Sequence, residues 1–291
     1  MTRASTASAF PHGHQGAIDY LIIGHVTVDL MPDGHRLGGT AAYASLTALT
    51  LGLRVGLVTA CRPDLDLTPL RDIAIHRKPS SQNTTFRNLT TPHGRSQVLS
   101  GRADCLTIDD VPPAWRTAPI AHLAPVADEV PAEVASDLSV TFVGATPQGW
   151  WRRWDDDGHV KCLAPAEALG CLPSNIQAAV FSRDDVSADS GDLDRLAHAF
   201  PITVITDGAR GADVRWESEQ LHVPAPVLTP VDDTGAGDIF AAVFFVQLAG
   251  GEKPAEAALE ATRWASLSVL HAGPDWIRSA AIDEIPAGAN L

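Results

Sequence analysis

Apolar residues in this chain fall into short continuous runs bounded by glycine and polar turns. Asp19-Tyr20-Leu21-Ile22-Ile23-Gly24 is the first, and Val55–Thr59, Ala121–Leu123, Val140–Gly144, Ala179–Ser182 and Ile202–Thr206 follow it. Runs of this length without alternation suit strands buried on both faces, as in a parallel sheet. Helix-like patterns lie between several of them, Ala41–Leu51 and Leu193–Ala199 among others. The alternation predicts right-handed crossovers and a mostly parallel sheet covered by helices on both faces. Ligands of such sheets sit beyond the strand C-termini.

The end of the chain reads differently. Two long helices are predicted, over 238–249 and roughly 254–271, with Pro254 suited to a first helical turn. Asp213–Trp216 and Leu221–Val223 read as two strands after Thr206. At 82–105, Thr84–Asn88 and Arg95–Leu99 flank the turn Thr91-Pro92-His93-Gly94, which predicts a hairpin suited to a lid. Residues 1–17 lack apolar periodicity and read as a mobile tail with solvated His12 and His14, so residues 18–291 are expected to form one domain.

Composition narrows the class of function. Hydrophobic residues fill 45% of the 291 positions, enough for a full core, and the formal net charge is −14. That charge, with no concentrated basic stripe, disfavours nucleic acid and anionic membrane as partners. Trp150-Trp151-Arg152-Arg153-Trp154 offers a stacking surface, but Asp155-Asp156-Asp157 beside it argues against that use. Cys61, Cys105, Cys162 and Cys171 form no CxxC pair and have no close histidines, so they read as reduced thiols. There is no leader-like pattern, and the longest apolar run, within 239–249, is too short to cross a bilayer. A cytoplasmic protein acting on a small molecule is the expectation.

The candidate chemistry centres on Asp233-Thr234-Gly235-Ala236-Gly237-Asp238, which opens the apolar helix Ile239–Leu248. The first N–H groups of a helix lack intrahelical partners and sit at the positive end of its dipole, so small residues there let a phosphate approach closely. Asp238 follows at once, placed to accept a proton from a hydroxyl attacking that phosphate. A simple strand-to-helix turn with a favourable first-turn carboxylate is the plainer alternative. Gly144 to Gly149 has Walker-like spacing but Trp150 stands at the lysine position, and no Gly-x-Gly-x-x-Gly follows the first strand.

Read from Asp232, the stretch resembles the second signature of the ribokinase-like (PfkB) carbohydrate kinases, Asp-Thr-x-Gly-Ala-Gly-Asp, with Asp233 in place of the first Thr. Gly38-Gly39-Thr40-Ala41-Ala42-Tyr43-Ala44 resembles the first signature, with Tyr43 where the family usually has Asn. Gly24-His25-Val26-Thr27-Val28-Asp29 resembles the strand end whose carboxylate grips substrate hydroxyls. The segment between Asp29 and Gly38 is shorter than the lid strands many of these kinases insert there, so a reduced lid is expected, with 82–105 as its main piece and Arg87, Gln97 or Arg102 in reach of substrate. Thr206-Asp207-Gly208-Ala209-Arg210-Gly211 resembles the family's stretch along the nucleotide phosphates, and Ala265 to Gly273 its adenine-pocket helix end. The magnesium motif Asn-x-x-Glu falls on Ser182-Arg183-Asp184-Asp185, with a carboxylate kept and an amide lost.

The resemblance implies a three-layer α/β/α sandwich with a mostly parallel sheet and a reduced β lid. It implies ATP-dependent phosphorylation of a hydroxyl on a sugar or cyclitol, the compact first signature being similar to the myo-inositol kinase branch. Asp238 would be the base, and amides of Gly235, Ala236 and Gly237 would hold the phosphoryl group. Asp29, Gly38, Gly39, Tyr43 and Gln97 would meet the acceptor. Ser182, Thr206, Gly208, Gly211, Thr234, Ala265 and Gly273 would meet ATP, and Asp185 would serve Mg2+. A nucleoside kinase and a non-catalytic sensor on the same fold remain the alternatives, and monomer and homodimer are both open.

Overall fold

The computed structural model describes residues 17–32, 34–91, 94–170, 172–186, 190–274 and 276–277. Residues 1–16, His12 and His14 included, and Pro92, His93 and Cys171 lie outside them. In chain order the strands are β1 Tyr20–Ile23, β2 Thr27–Met31, β3 Gly34–Gly38, β4 Val55–Cys61, β5 Ala74–Pro79, β6 Thr84–Thr91, β7 Gly94–Gly101, β8 Ile120–Leu123, β9 Phe142–Ala145, β10 Arg152–Trp154, β11 Val160–Cys162, β12 Ala178–Ser182, β13 Ile202–Thr206, β14 Ala212–Trp216 and β15 Glu219–Val223. The α-helices are α1 Gly39–Thr50, α2 Glu133–Ser136, α3 Gln148–Trp151, α4 Pro165–Leu169, α5 Ser190–Ala197, α6 Ala236–Ala249 and α7 Pro254–Ser268.

Nine strands form the main sheet in the order β15-β14-β13-β12-β9-β8-β1-β4-β5. Pairing is parallel from β13 to β5, and the β13–β14 and β14–β15 pairs are antiparallel. The unbroken apolar runs have a direct structural consequence. Along β1, Tyr20 and Ile22 enter one hydrophobic core while Leu21 and Ile23 enter the other, because successive side chains of a strand point to opposite faces. The first core takes α1, α6 and α7, with Phe244, Phe245 and Trp264 buried in it. The second takes Leu193 and Leu196 of α5 and both Trp150 and Trp151. The result is the expected three-layer α/β/α sandwich. Each fully buried Phe, Leu or Ile side chain contributes roughly 1.5–3 kcal/mol of transfer free energy.

Helix α6 is buried along most of its length, from Ile239 to Val246, which explains why its sequence has no polar stripe. Helix α7 ends at Ser268, earlier than the sequence pattern suggests, where the Ser268 hydroxyl donates to the Ala265 carbonyl and Gly273 follows in a positive-φ turn. Trp150 and Trp151 are 2% and 0% exposed, so they form core and not a stacking platform. The β10–β11 hairpin, closed around Asp155 and Gly158, has no counterpart in the hydrophobic pattern.

A second sheet, β3-β2-β6-β7, rises from the main one. The 82–105 segment forms its β6–β7 hairpin, and β2 pairs with β6 in parallel and with β3 in antiparallel. The short 27–38 segment therefore supplies two strands of its own; five residues per strand suffice, because β6 provides the missing partner. Two chain crossings hang this sheet from the ends of β1 and β5. Buried Glu129 ties the first of them to the segment after β8, accepting from the N–H groups of His25 (3.0 Å), Val126 (3.0 Å) and Ala127 (2.7 Å). The His25 ring bonds to Thr84 Oγ1 (2.7 Å) and to the Asp104 carbonyl (3.0 Å).

Candidate functional site

Between the second sheet and the C-terminal ends of the parallel strands lies a cavity of about 860 Å³. Its floor is the start of α6. Gly235 occupies the N-cap position with φ 84°, and a Cβ there would stand 2.4 Å from the Tyr43 ring, so no other residue fits without movement. Asp232 organises the loop that leads in. Its Oδ1 accepts the Thr234 N–H (3.0 Å), and its Oδ2 accepts from Gly273 N–H (3.3 Å) and from Arg36 of β3 (2.8 Å). The Ala236 N–H closes the turn onto the Asp233 carbonyl (3.3 Å). Gly237 faces open space, which leaves the amide end of the helix accessible to an anion.

Asp238 lies in the first turn of α6, on the cavity wall. Thr40, at the start of α1, donates its hydroxyl proton to Asp238 Oδ1 at 2.6 Å. Gln148 Nε2 donates to Thr40 Oγ1 (3.0 Å), and Arg152 donates to Gln148 Oε1 (2.6 Å) and lies 3.4 Å from Asp185 Oδ1. Burial pushes the Asp238 carboxyl up to about 6; the Thr40 bond opposes this, Asp185 adds to it, Arg152 opposes it and Asp29 adds to it. Burial likewise raises the Asp185 carboxyl, against the pull of Arg152.

At the end of the cavity under the second sheet stand Thr27, Asp29, Gly39, Tyr43, Phe86, Asn88 and Gln97. Asp29 is 5% exposed and accepts from the Thr27 hydroxyl at 3.4 Å. Gln97 donates to Asn88 Oδ1 at 2.8 Å across the β6–β7 pair. Gly38 stands behind this wall, packed against Asp29 Oδ2. The Tyr43 ring lines the cavity, yet its hydroxyl is enclosed and has no hydrogen-bond partner among the described residues. Arg87 is exposed on the face of β6 opposite Phe86 and Asn88, and Arg102 is spent on the carbonyls of Ala127 and Asp128 and on the Trp154 ring.

The opposite end is lined by Ser182, Arg183, Asp184, Asp185, Thr206, Gly208, Gly211, Thr234 and Ala265, with an apolar wall of Ala225, Pro226, Leu228, Pro230 and Val269. Ser182 and Asp185 form a reciprocal capping pair: the Ser182 N–H donates to Asp185 Oδ2 (2.9 Å) and Ser182 Oγ accepts from the Asp184 N–H (3.2 Å). Gly208 faces open space, Gly211 packs on the Val223 carbonyl, and Gly273 lies outside the lining against Arg36. Among the described residues there is no group of three or more His, Cys, Asp or Glu that could hold a metal ion.

One cavity thus collects residues from widely separated stretches of chain, from Thr27 to Val269. Thr40, Phe86, Asn88, Gln148 and Arg152 belong to it although none of them was expected as a site residue. The i,i+4 spacing of Gln148 and Arg152 around a short helix after β9 is the one signal that could have flagged two of them.

Comparison with known proteins agrees with this architecture. Residues 179–277 match the sequence model described as pfkB family carbohydrate kinase. Ribokinase of Bacillus subtilis (strain 168) is 49% identical over 70 residues, 24% of each protein. Inositol 3-kinase of Arabidopsis thaliana is 32% identical over 125 residues, 40% of this chain and 33% of that protein. The chain thus spans about a quarter and a third of these two relatives. A pyrophosphate-dependent kinase in the ribokinase family, solved with a pyrophosphate analog and myo-inositol, shares the fold with a TM-score of 0.74 at 20% identity, over 90% of this chain and 100% of that one. No described helix is long and apolar enough to cross a membrane. In its matched segment this chain is similar to the pfkB family of carbohydrate kinases, and it shares the fold of a kinase in the ribokinase family.

Proposed function

We propose that the protein is an ATP-dependent phosphotransferase that phosphorylates a hydroxyl of a sugar or cyclitol, with myo-inositol as the leading acceptor. The observation that carries this is Asp238 itself: it stands at the amide end of α6, Thr40 holds Oδ1, and its surface opens on the cavity that also holds Asp29. Asp238 Oδ2 takes the proton of the attacking hydroxyl, and the amides of Gly235 and Gly237 hold oxygens of the transferring phosphoryl group, the expected Ala236 amide being turned instead onto the Asp233 carbonyl. Mg2+ beside Asp185 supplies charge neutralisation when bound.

The acceptor end supports a neutral polyol. Asp29 and the amides of Asn88, Gln97 and Gln148 alternate acceptors and donors, as a ring of hydroxyls requires. A nucleoside fits less well, because Phe86, the aromatic ring beside Asn88 there, already carries the Arg152 guanidinium on one face, 5.9 Å from its centroid. The Arabidopsis inositol 3-kinase and the myo-inositol complex of the structural neighbour support the cyclitol. The apolar wall from Ala225 to Val269 favours a nucleotide donor over bare pyrophosphate, which has no base to bury there.

A coupled ADP-release assay against sugars, cyclitols and nucleosides tests the reading. Turnover that disappears in Asp238→Asn supports a kinase. Tight acceptor binding without ADP release points to the sensor.

A further inference from the structure

The donor and acceptor polarities around Asp238 depend on a residue far from either glycine signature. A guanidinium only donates. Arg152, at the start of β10, therefore compels Gln148 to turn its carbonyl oxygen toward it, at 2.6 Å. That leaves the Gln148 amide nitrogen facing Thr40 Oγ1 at 3.0 Å. A hydroxyl that accepts from an amide keeps its single proton for another partner, and Thr40 delivers it to Asp238 Oδ1 at 2.6 Å. If the amide were reversed, Thr40 would give its proton to Gln148 and Asp238 would lose its anchor. The Arg152 side chain is 13% exposed, and it is steadied by the Val126 carbonyl (3.3 Å) and the Phe86 ring.

We propose that Arg152 is a positioning residue for Asp238, acting through the relay Arg152–Gln148–Thr40 to hold one carboxylate oxygen still and leave the other to the acceptor. This rests on Asp238 being the base. The charged and polar groups that bear on Asp238 are Thr40 from α1, Asp185 after β12, Arg152 from β10 and Asp29 from β2. Arg152 is the cation among them.

The test compares wild type, Arg152→Met, Arg152→Lys, Gln148→Met and Thr40→Val with ATP and the best acceptor of the panel. Arg152→Met is expected to lower kcat on the order of tenfold to a hundredfold and to move the acid limb of kcat to higher pH by about half a unit. Arg152→Lys keeps a donor and a charge and should restore most of both. Combined with Thr40→Val, the loss from Arg152→Met should be clearly less than additive, because both cut one chain. A 13C NMR titration of the Asp238 carboxyl in the protein alone should follow the same order, so it decides the proposal even if no acceptor turns over. Should Arg152→Met fail to fold, Gln148→Met must show the same sub-additivity with Thr40→Val. An unmoved Asp238 titration, or fully additive losses, overturns the relay.

Discussion

The ring of Tyr43 occupies the space in which any side chain at position 235 would stand: a Cβ built on Gly235 falls 2.4 Å from Cδ1 and Cε1 of that ring. Helix α1 and the entrance of α6 are therefore fitted to each other, and Gly235 is needed both for its φ of 84° and for its size. Gly235→Ala combines left-handed strain with overpacking, about 2–5 kcal/mol together. We expect a lower urea midpoint and at least a hundredfold loss of kcat, since the amides of the entrance move with the backbone.

Tyr43→Phe separates the ring from its hydroxyl. The hydroxyl is enclosed without a partner among the described residues, and removing such a group is neutral or stabilising by up to about 2 kcal/mol. Thermal unfolding should show an equal or higher Tm, and the acceptor KM should stay within about threefold. A KM raised tenfold would mean that the hydroxyl reaches the acceptor.

The pH dependence follows from Asp238, whose carboxyl burial raises to about 6. With Asp238 as the proposed base, catalysis needs the ionised form, so kcat/KM should fall about tenfold per pH unit below that value and level off above it. The stability effect has the opposite direction. A folded-state value above the ordinary 3.8 means that the folded protein holds this proton more tightly, so its stabilising contribution is complete below 3.8 and lost as pH rises through about 6. Asp238→Asn should therefore raise stability at pH 7.5 by about 1–2 kcal/mol after discounting for screening through the open cavity, and Tm with it, with the gain shrinking toward pH 4. Differential scanning calorimetry at the two pH values checks the sign.

Arg36 and Asp232 join the second sheet to the loop before α6 through one half-buried ion pair at 2.8 Å. Arg36→Met leaves Asp232 bonded to the Thr234 and Gly273 amides, so the loop should survive while its tie to β3 is lost. We expect a loss of stability of about 1–3 kcal/mol and a donor KM raised about tenfold. Steady-state kinetics with ATP varied would register the second effect.

Glu129 is fully buried and accepts three backbone N–H groups where the second sheet meets the first. Glu129→Gln sets an NH2 group against those donors and removes charge-assisted bonds, at a cost of about 1.5–3 kcal/mol. Chemical denaturation should show the lower midpoint, with kcat of the folded fraction little changed.

Much of the frame could be read along the chain, and particular elements show why. Ile202–Thr206 is a strand in both readings, and Asp19–Gly24 brackets β1, because an unbroken apolar run between turns has few other places to go. The start of α6 was legible for the same local reason: small residues before an apolar helix state their capping and dipole chemistry within one turn. The lid was only half legible. The hairpin at β6–β7 has its own turn, but the pairing of β2 with β6 joins segments far apart, and nothing local announces it.

By itself the sequence determined the layered α/β frame, the glycine-lined mouth of α6 and the presence of Asp238 there, since each depends on neighbours in the chain. Tertiary structure alone decided that Thr40, 198 residues away, holds that carboxylate, and that Gln148, 108 residues from Thr40, fixes the direction of its proton. It also decided that the Tyr43 ring leaves room only for glycine at 235. These are matters of hydrogen-bond polarity and excluded volume between elements, and such quantities exist only once the sheet has brought those elements within a few ångströms of one another.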